Sequence, residues 1–416
     1  MELITVSSKK KKSKKPQQKP AVQPRKTPDS PVQAAPAPKP PADALAPKLR
    51  LSYVDVAKGI MILAVVLSHA WFANSDILGD YLPFSMPVFF FLSGYTYKAG
   101  RSYGTNMGRR VVSLLFPYFI FCAICNLFFP VYAGLVKQIS MMSYSFLPTK
   151  GALWLAVLRA DALNMLMSTP MWFLVALFTA SILFFALVDL TRERLWKTLV
   201  AVAVLVAAAV GIELVKKSTL PWFIDLAPYA AALMLLGAYC GEKKLYRKLN
   251  VLWIVIGLVL LAAAELLNRV FPGSARTSIV QYIESGAWYG VLTAFVIAVA
   301  GCIGTLCIAR LLDRIPGLNK VLRWLGRNSL WILCIHYCFI MLVELWLYTK
   351  GALSNSLLDV VSNQLYGVGV VSDKPKDIAI KIAVAAVSIF VSGLYAAVHN
   401  AVKRKAKALP PRERKK

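Results

Sequence analysis

Ten long apolar runs constrain this chain of 416 residues more than any other feature. They lie at 53–73, 83–97, 111–133, 171–190, 198–215, 222–240, 250–268, 286–310, 328–348 and 378–402. A helix of about 20 residues, rising about 1.5 Å per residue, crosses the roughly 30 Å of hydrocarbon in a bilayer. Only helices and closed barrels satisfy their backbone groups there, and these runs are too long and too uniformly apolar for barrel strands. The expected fold class is therefore all-α, a polytopic membrane protein of about ten transmembrane helices. A hydrophobic fraction of 58%, a charged fraction of 16% and a mean hydropathy of +0.59 agree with that class.

The formal net charge of +28 has to be located before it is interpreted. Residues 1–50 hold twelve Lys or Arg against three acids and ten prolines, and form an expected disordered, cytoplasmic, basic tail. Residues 403–416 hold eight basic residues against one acid and form a second. Between them, 51–402 is the expected transmembrane domain. Neither tail interleaves aromatics with its cations, so nucleic acid is not an expected partner. Polybasic flanks of spans favour the cytoplasmic side and anionic lipids.

With both tails inside a cell membrane, an even number of spans is required. The loops then assigned inside, "KAGRSYGTNMGRR", "TRERLWK", "GEKKLYRK" and "RLLDRIPGLNKVLRWLGR", are all basic, whereas Lys216 and Lys217 are an exception on the outer side. The segment Gly151–Pro170 is apolar but interrupted by Arg159, Asp161 and Asn164, and is expected as an interfacial or re-entrant helix. The first apolar run follows fifty polar residues, so the first span is expected to act as its own insertion signal. Cys122 and Cys125, like Cys334 and Cys338, imitate metal spacings but lie inside apolar runs, where packing is the expected role and no metal is expected.

Ionisable residues inside spans cost about 2.5–3.5 kcal/mol each on insertion scales and mark function by default. The first run carries Asp55, Lys58 and His69. Lys58 and His69 are eleven residues apart, which places them within about 20° on one helix face but about 16.5 Å apart along it. They therefore serve different ends of one cavity. Asp55 can pair with Lys58 at i, i+3. Of the three histidines, His399 neighbours the basic end and is expected to be structural, while His336 sits mid-span. Two histidines on separate spans, without metal-ligand spacing, favour acid/base chemistry.

Six motifs in order carry a family resemblance: "DVAKGIMILAVVLSH" (Asp55–His69), "FSMPVFFFLSGYTY" (Phe84–Tyr97), "RRVVSLLFPY" (Arg109–Tyr118), "PMWFLVALF" (Pro170–Phe178), "PWFIDLAPYAAALMLLGAYCG" (Pro221–Gly241) and "LGRNSLWILCIHY" (Leu325–Tyr337). The chain resembles the acyltransferase 3 family of integral-membrane O-acyltransferases, particularly bacterial members similar to fucose 4-O-acetylases. The resemblance implies acyl transfer from cytoplasmic acetyl-CoA, a co-substrate rather than a permanent cofactor, to a hydroxyl of a carbohydrate or glycolipid acceptor. It implies that His69 is the essential histidine and that basic residues handle the donor. Lys58 stands where many members have arginine. Where the family often has two arginines three apart before "PY", this chain has Arg110 and Ser113, so donor contacts fall to Lys58, Arg109 and Arg110, or to Lys98 and Arg101.

On this reading His69 is a general base or an acyl relay, with His336 the second catalytic histidine. Asp55 supports the Lys58 end, and Glu344 or Asp225 is the candidate partner for His69. Ser93 and Tyr95 can bind donor or acceptor, or cap and pack their helix. Asp225 and the pair Trp172–Phe173 are candidates on the acceptor side, the aromatics alternatively anchoring in the interface. A transporter or flippase for a polar or lipid-linked solute is the alternative that the intramembrane charges equally accommodate.

Overall fold

The computed structural model describes residues 51–70, 84–139, 149–160, 167–215, 220–244, 251–270, 288–353 and 374–408. Both extreme tails, Lys216, Lys217, Asp161 and Asn164 lie outside the described residues. Within the described residues all regular structure is helical. The helices are α1 (Ser52–Ala70), α2 (Ser85–Tyr95), α3 (Tyr103–Arg110), α4 (Phe116–Leu127), α5 (Phe129–Ile139), α6 (Lys150–Arg159) and α7 (Trp172–Thr191). They continue as α8 (Leu195–Val215), α9 (Ala227–Glu242), α10 (Val251–Val270), α11 (Trp288–Leu312), α12 (Leu318–Arg327), α13 (Ser329–Thr349) and α14 (Pro375–Ala408).

Each of the ten predicted runs contains a helix, and among the described residues eight helical stretches are long and apolar enough to cross a membrane. At 11 residues α2 covers about 16 Å, roughly half the hydrocarbon thickness. Three boundaries differ from expectation. The third span begins at Tyr103, inside the loop read as "KAGRSYGTNMGRR", and continues to α5 with a break at Phe128. The segment "RLLDRIPGLNKVLRWLGR" is no simple loop but contains α12. The last helix runs on to Ala408, through Lys403, Arg404 and Lys405 of the basic end.

Hydrophobicity cannot hold helices together in lipid, so close approach through small residues replaces it. A Cβ on Gly59 of α1 would run into the Leu322 carbonyl of α12, and one on Gly326 of α12 would meet the Asp55 carbonyl of α1. These two helices therefore pack backbone to backbone, as do α2 and α9. Further pairs, α10 with α11 and α13 with α14, complete the bundle. Its outward surface is apolar, as at Val112, Phe116, Leu127 and Val204.

One local distortion matters for the site. Pro117 lacks an N–H and its ring crowds the carbonyl four residues earlier, which is Ser113. The chain accommodates it with a π-turn over Val111–Leu115, in which the Phe116 N–H bonds to the Val111 carbonyl. Such wide turns recur at functional sites. Here it follows Arg109 and Arg110 directly and contains Ser113 and Leu114, all four of which face one cavity.

Candidate active site

That cavity, of about 620 Å³, is lined by Lys58 from α1, Ser93 from α2, Lys98 and Arg101 from the following loop, and Arg109 and Arg110 from α3. Five cations thus meet in one space, and among the described residues no carboxylate lines it. Hydroxyl and amide groups intersperse them, from Thr96, Tyr97, Asn106, Ser113 and Ser329, while Ile62, Phe89, Phe173 and Leu333 form apolar wall. A cation cluster of this kind has the chemistry to receive a polyanion: each charge-assisted hydrogen bond adds attraction, and the mutual repulsion of the cations falls when an anion enters.

Arg110 is fixed before any ligand arrives. Its guanidinium donates to Ser93 Oγ and lies 5.6 Å from the Phe185 ring centroid. The rim is braced as well. The Tyr97 hydroxyl donates to Asp189 at 3.1 Å, and Arg192 bridges Asp189 at 3.3 Å and Glu242 at 2.9 Å, joining the ends of α2, α7 and α9. Burial and the accepted hydrogen bond at Asp189 raise the Tyr97 phenol above its ordinary value, so it remains a neutral donor at physiological pH.

Past the apolar wall the chemistry changes. Ile62 is two turns before His69 on α1, and Leu333 one turn before His336 on α13. The two imidazoles lie together with centroids 5.4 Å apart, and Tyr337 meets His69 edge-on at 5.1 Å. His336 is fully buried. Its Nδ1 is 2.7 Å from the Ile332 carbonyl, an acceptor only, so Nδ1 carries the proton. Nε2 is left with its lone pair and no hydrogen-bond partner. His69 is only partly buried. A partly accessible imidazole set against a fully buried one can accept a proton while its neighbour holds it in place.

Other sequence-nominated residues fall elsewhere. Asp55 receives Arg327 Nε at 3.1 Å, a partner from α12 that no local spacing announces. Tyr95 is buried and shares a 2.7 Å hydroxyl contact with Tyr53, outside the cavity lining. Trp172 packs on Phe223 and Phe173, and it is Phe173 that reaches the cavity wall. Asp225 is buried at the turn before α9, also off the cavity. Glu344 is buried eight residues beyond His336, within electrostatic reach of Lys381 and Tyr337. The fully buried Lys381 and Asp377 of α14 escaped the sequence reading because they sit at the start of an otherwise apolar run. Thr96, Tyr97, Asn106 and Ser329 were missed too: Asn106 lies in a loop noted only for its basic residues, and the other three lie inside apolar runs and quoted motifs without being singled out.

The cysteines of α4 and α13 come together in the core, with Cys125 Sγ 3.9 Å from the Cys334 carbonyl and Cys122 Sγ 3.7 Å from Met171 Sδ. Among the described residues no group of three His, Cys, Asp or Glu has the geometry of a metal site.

Fold and site define a polytopic helical membrane protein with a polycationic cavity and, within two turns of its wall on α1 and α13, a pair of histidines of which one is fully buried. The family model described as "Acyltransferase domain" matches residues 51–394, and the chain belongs to this acyltransferase 3 family. It is a membrane acyltransferase. Neither the comparison with curated proteins nor that with solved structures returned a match.

Proposed function

We propose that the protein transfers an acetyl group from cytoplasmic acetyl-CoA to a hydroxyl of a sugar or glycan acceptor, with both termini on the cytoplasmic side of the cell membrane. The observation that carries this reading is the five-cation cavity ending within two turns of the histidine pair. CoA presents phosphates at one end and a thioester at the other, which is the polarity of the Lys58 to His69 face. A volume of about 620 Å³ falls in the range of roughly 300–1,000 Å³ typical of small-molecule sites.

In the proposed reaction Arg109, Arg110, Lys58, Lys98 and Arg101 hold the phosphates, Arg110 already oriented by Ser93. The acceptor hydroxyl attacks the thioester carbonyl while His69 takes its proton. The carbon–sulfur bond then breaks, and the thiolate leaves and receives that proton from the imidazolium. His336, held by its Nδ1–H bond to the Ile332 carbonyl, packs against His69 and fixes where that ring lies. In an acyl-relay variant His69 itself attacks first and carries the acetyl group to the acceptor. Both routes conserve protons overall, and both start from a neutral imidazole. The polybasic ends are proposed to hold anionic lipid.

The test is acetyl transfer from radiolabelled acetyl-CoA in membranes containing wild type or His69→Ala at matched expression, with endogenous glycans as acceptors. Label entering glycan only with wild type is the expected result. Equal labelling in both would remove His69 from the chemistry.

A further inference from the structure

A second recess, of about 130 Å³, lies between the end of α4, the start of α5 and α6, and is lined by Asn126, Phe129, Pro130, Lys150, Leu153 and Trp154. We propose that it binds a sugar ring. The strongest observation is Asn126. Its side chain is more than nine-tenths buried, yet both its amide nitrogen and its amide oxygen make no hydrogen bond. A buried amide with neither end paired is rare in a settled protein interior; both atoms are closed to solvent here, and a side-chain rotation toward the recess that Asn126 lines presents them to a partner arriving from outside. An amide both donates and accepts, which is the pattern a sugar hydroxyl answers with its own O–H and lone pairs. Trp154, 44% exposed, offers a flat apolar face for the C–H side of a ring, and the exposed Lys150 supplies a further donor. The volume suits one ring rather than an extended chain.

The recess is built on rigid parts. The Tyr118 hydroxyl donates to the Val157 carbonyl at 2.7 Å, and Trp222 Nε1 donates to the Leu158 carbonyl at 3.0 Å, pinning α6 from two sides. Thr149 caps the start of α6 by accepting from the Ala152 N–H. These bonds fix Lys150 and Trp154 opposite Asn126.

Its position fits an acyl acceptor. Leu114, in the wall of the cationic cavity, and Asn126 are twelve residues apart on one helical run, about 18 Å along it. Cys125, next to Asn126, donates to the carbonyl of Cys334, two residues before His336. The recess is thus at the level of the histidine pair and remote from the phosphate-binding end. Its occupancy by the acceptor rests on the proposed acyl transfer, whereas sugar binding itself does not.

The experiment uses the purified full chain in lipid nanodiscs, with D-glucose, D-galactose, N-acetyl-D-glucosamine and decyl β-D-glucoside as probes, read by saturation-transfer NMR. Saturable ring-proton signals are expected with wild type for at least one probe. Both Asn126→Leu and Trp154→Ala should weaken binding roughly tenfold, the effect of about one lost hydrogen bond or ring contact, with acetyl-CoA affinity unchanged. Signals from the free sugars support a soluble ring as occupant, and signals from decyl glucoside alone, still lost in the variants, support a lipid-borne one. Absence of saturable binding to every probe overturns the proposal. So does equal binding by wild type and variants, and in that case Asn126→Leu should simply raise the Tm, as removal of unpaired buried polar groups does. Sugar binding without any acetyl transfer would defeat the acyl-transfer reading and leave this site standing.

Discussion

Lys58 and His69 share one face of α1, yet the regions they enter have opposite physics. Around Lys58 the walls are crowded with cations and hydroxyls, and recognition is by charge. Around His69 the neighbours are a fully buried imidazole and a tyrosine edge, and no lining cation intrudes. A single enclosed site could not serve both purposes. Cations strong enough to hold phosphates would, at close range in low dielectric, destabilise an imidazolium forming beside them. The apolar wall at Ile62, Leu174 and Leu333 separates the two. In the proposed reaction, distance along a helix therefore does chemical work: it lets one molecule bind a polyanion and still keep a basic imidazole.

The separation can be broken from either end. Replacing His69 by Ala should cost the most, on the order of 10²–10⁴ in acyl transfer, the usual contribution of a positioned general base. Acetyl-CoA affinity should stay within about twofold, since His69 lies beyond the donor-binding charges. Arg110→Gln should do the converse. Loss of a charge-assisted hydrogen bond worth about 1.5–3 kcal/mol raises KM roughly 10- to 100-fold, with kcat much less affected. Steady-state kinetics over a donor series separates the two patterns.

A finer test addresses the pairing of the histidines. His336→Asn keeps an N–H near the Ile332 carbonyl while removing the ring that packs against His69, and should slow transfer by about tenfold without raising KM, because the His69 imidazole loses the neighbour that positions it. A change in KM instead would move His336 from positioning His69 to donor binding. The smallest effect is expected at Tyr95→Phe. Its hydroxyl meets Tyr53 in the packed interior, so the variant should lose about 1 kcal/mol of stability and keep its activity within about twofold. Thermal unfolding in detergent together with the transfer assay checks both halves.

How legible all this was depends on the range of the interaction. The apolar runs and the Lys58 to His69 stripe are properties of single helices, set by length and by the 3.6-residue period, and they could be read directly. The gathering of Lys58, Arg109 and Arg110 in one cavity was implied by family resemblance, with Lys98 and Arg101 as alternatives. The structure places all five there together. What spacing could not reveal are contacts between distant spans. His69 meets His336, and Asp55 finds Arg327, across more than 260 residues of chain, so no local pattern encodes either. The π-turn was hidden for a different reason. Pro117 announces a disturbance, but whether a helix kinks, breaks or widens there depends on what packs around it. Tyr95 and Trp172 show how neighbouring residues divide. Each was named with a neighbour, and it is the neighbours, Ser93 and Phe173, that line the cavity, while Tyr95 meets Tyr53 and Trp172 packs on Phe223.

The measurement that tests the division most directly is a paired one: acetyl-CoA affinity and single-turnover acetyl transfer on the same nanodisc preparations of His69→Ala and Arg110→Gln. The account predicts a crossover. His69→Ala binds the donor normally and fails to transfer, and Arg110→Gln binds weakly but transfers at near wild-type rate once saturated. If both folded variants lose binding and transfer together, the cation cavity and the histidine pair are not separate stations of one reaction, and the account is contradicted.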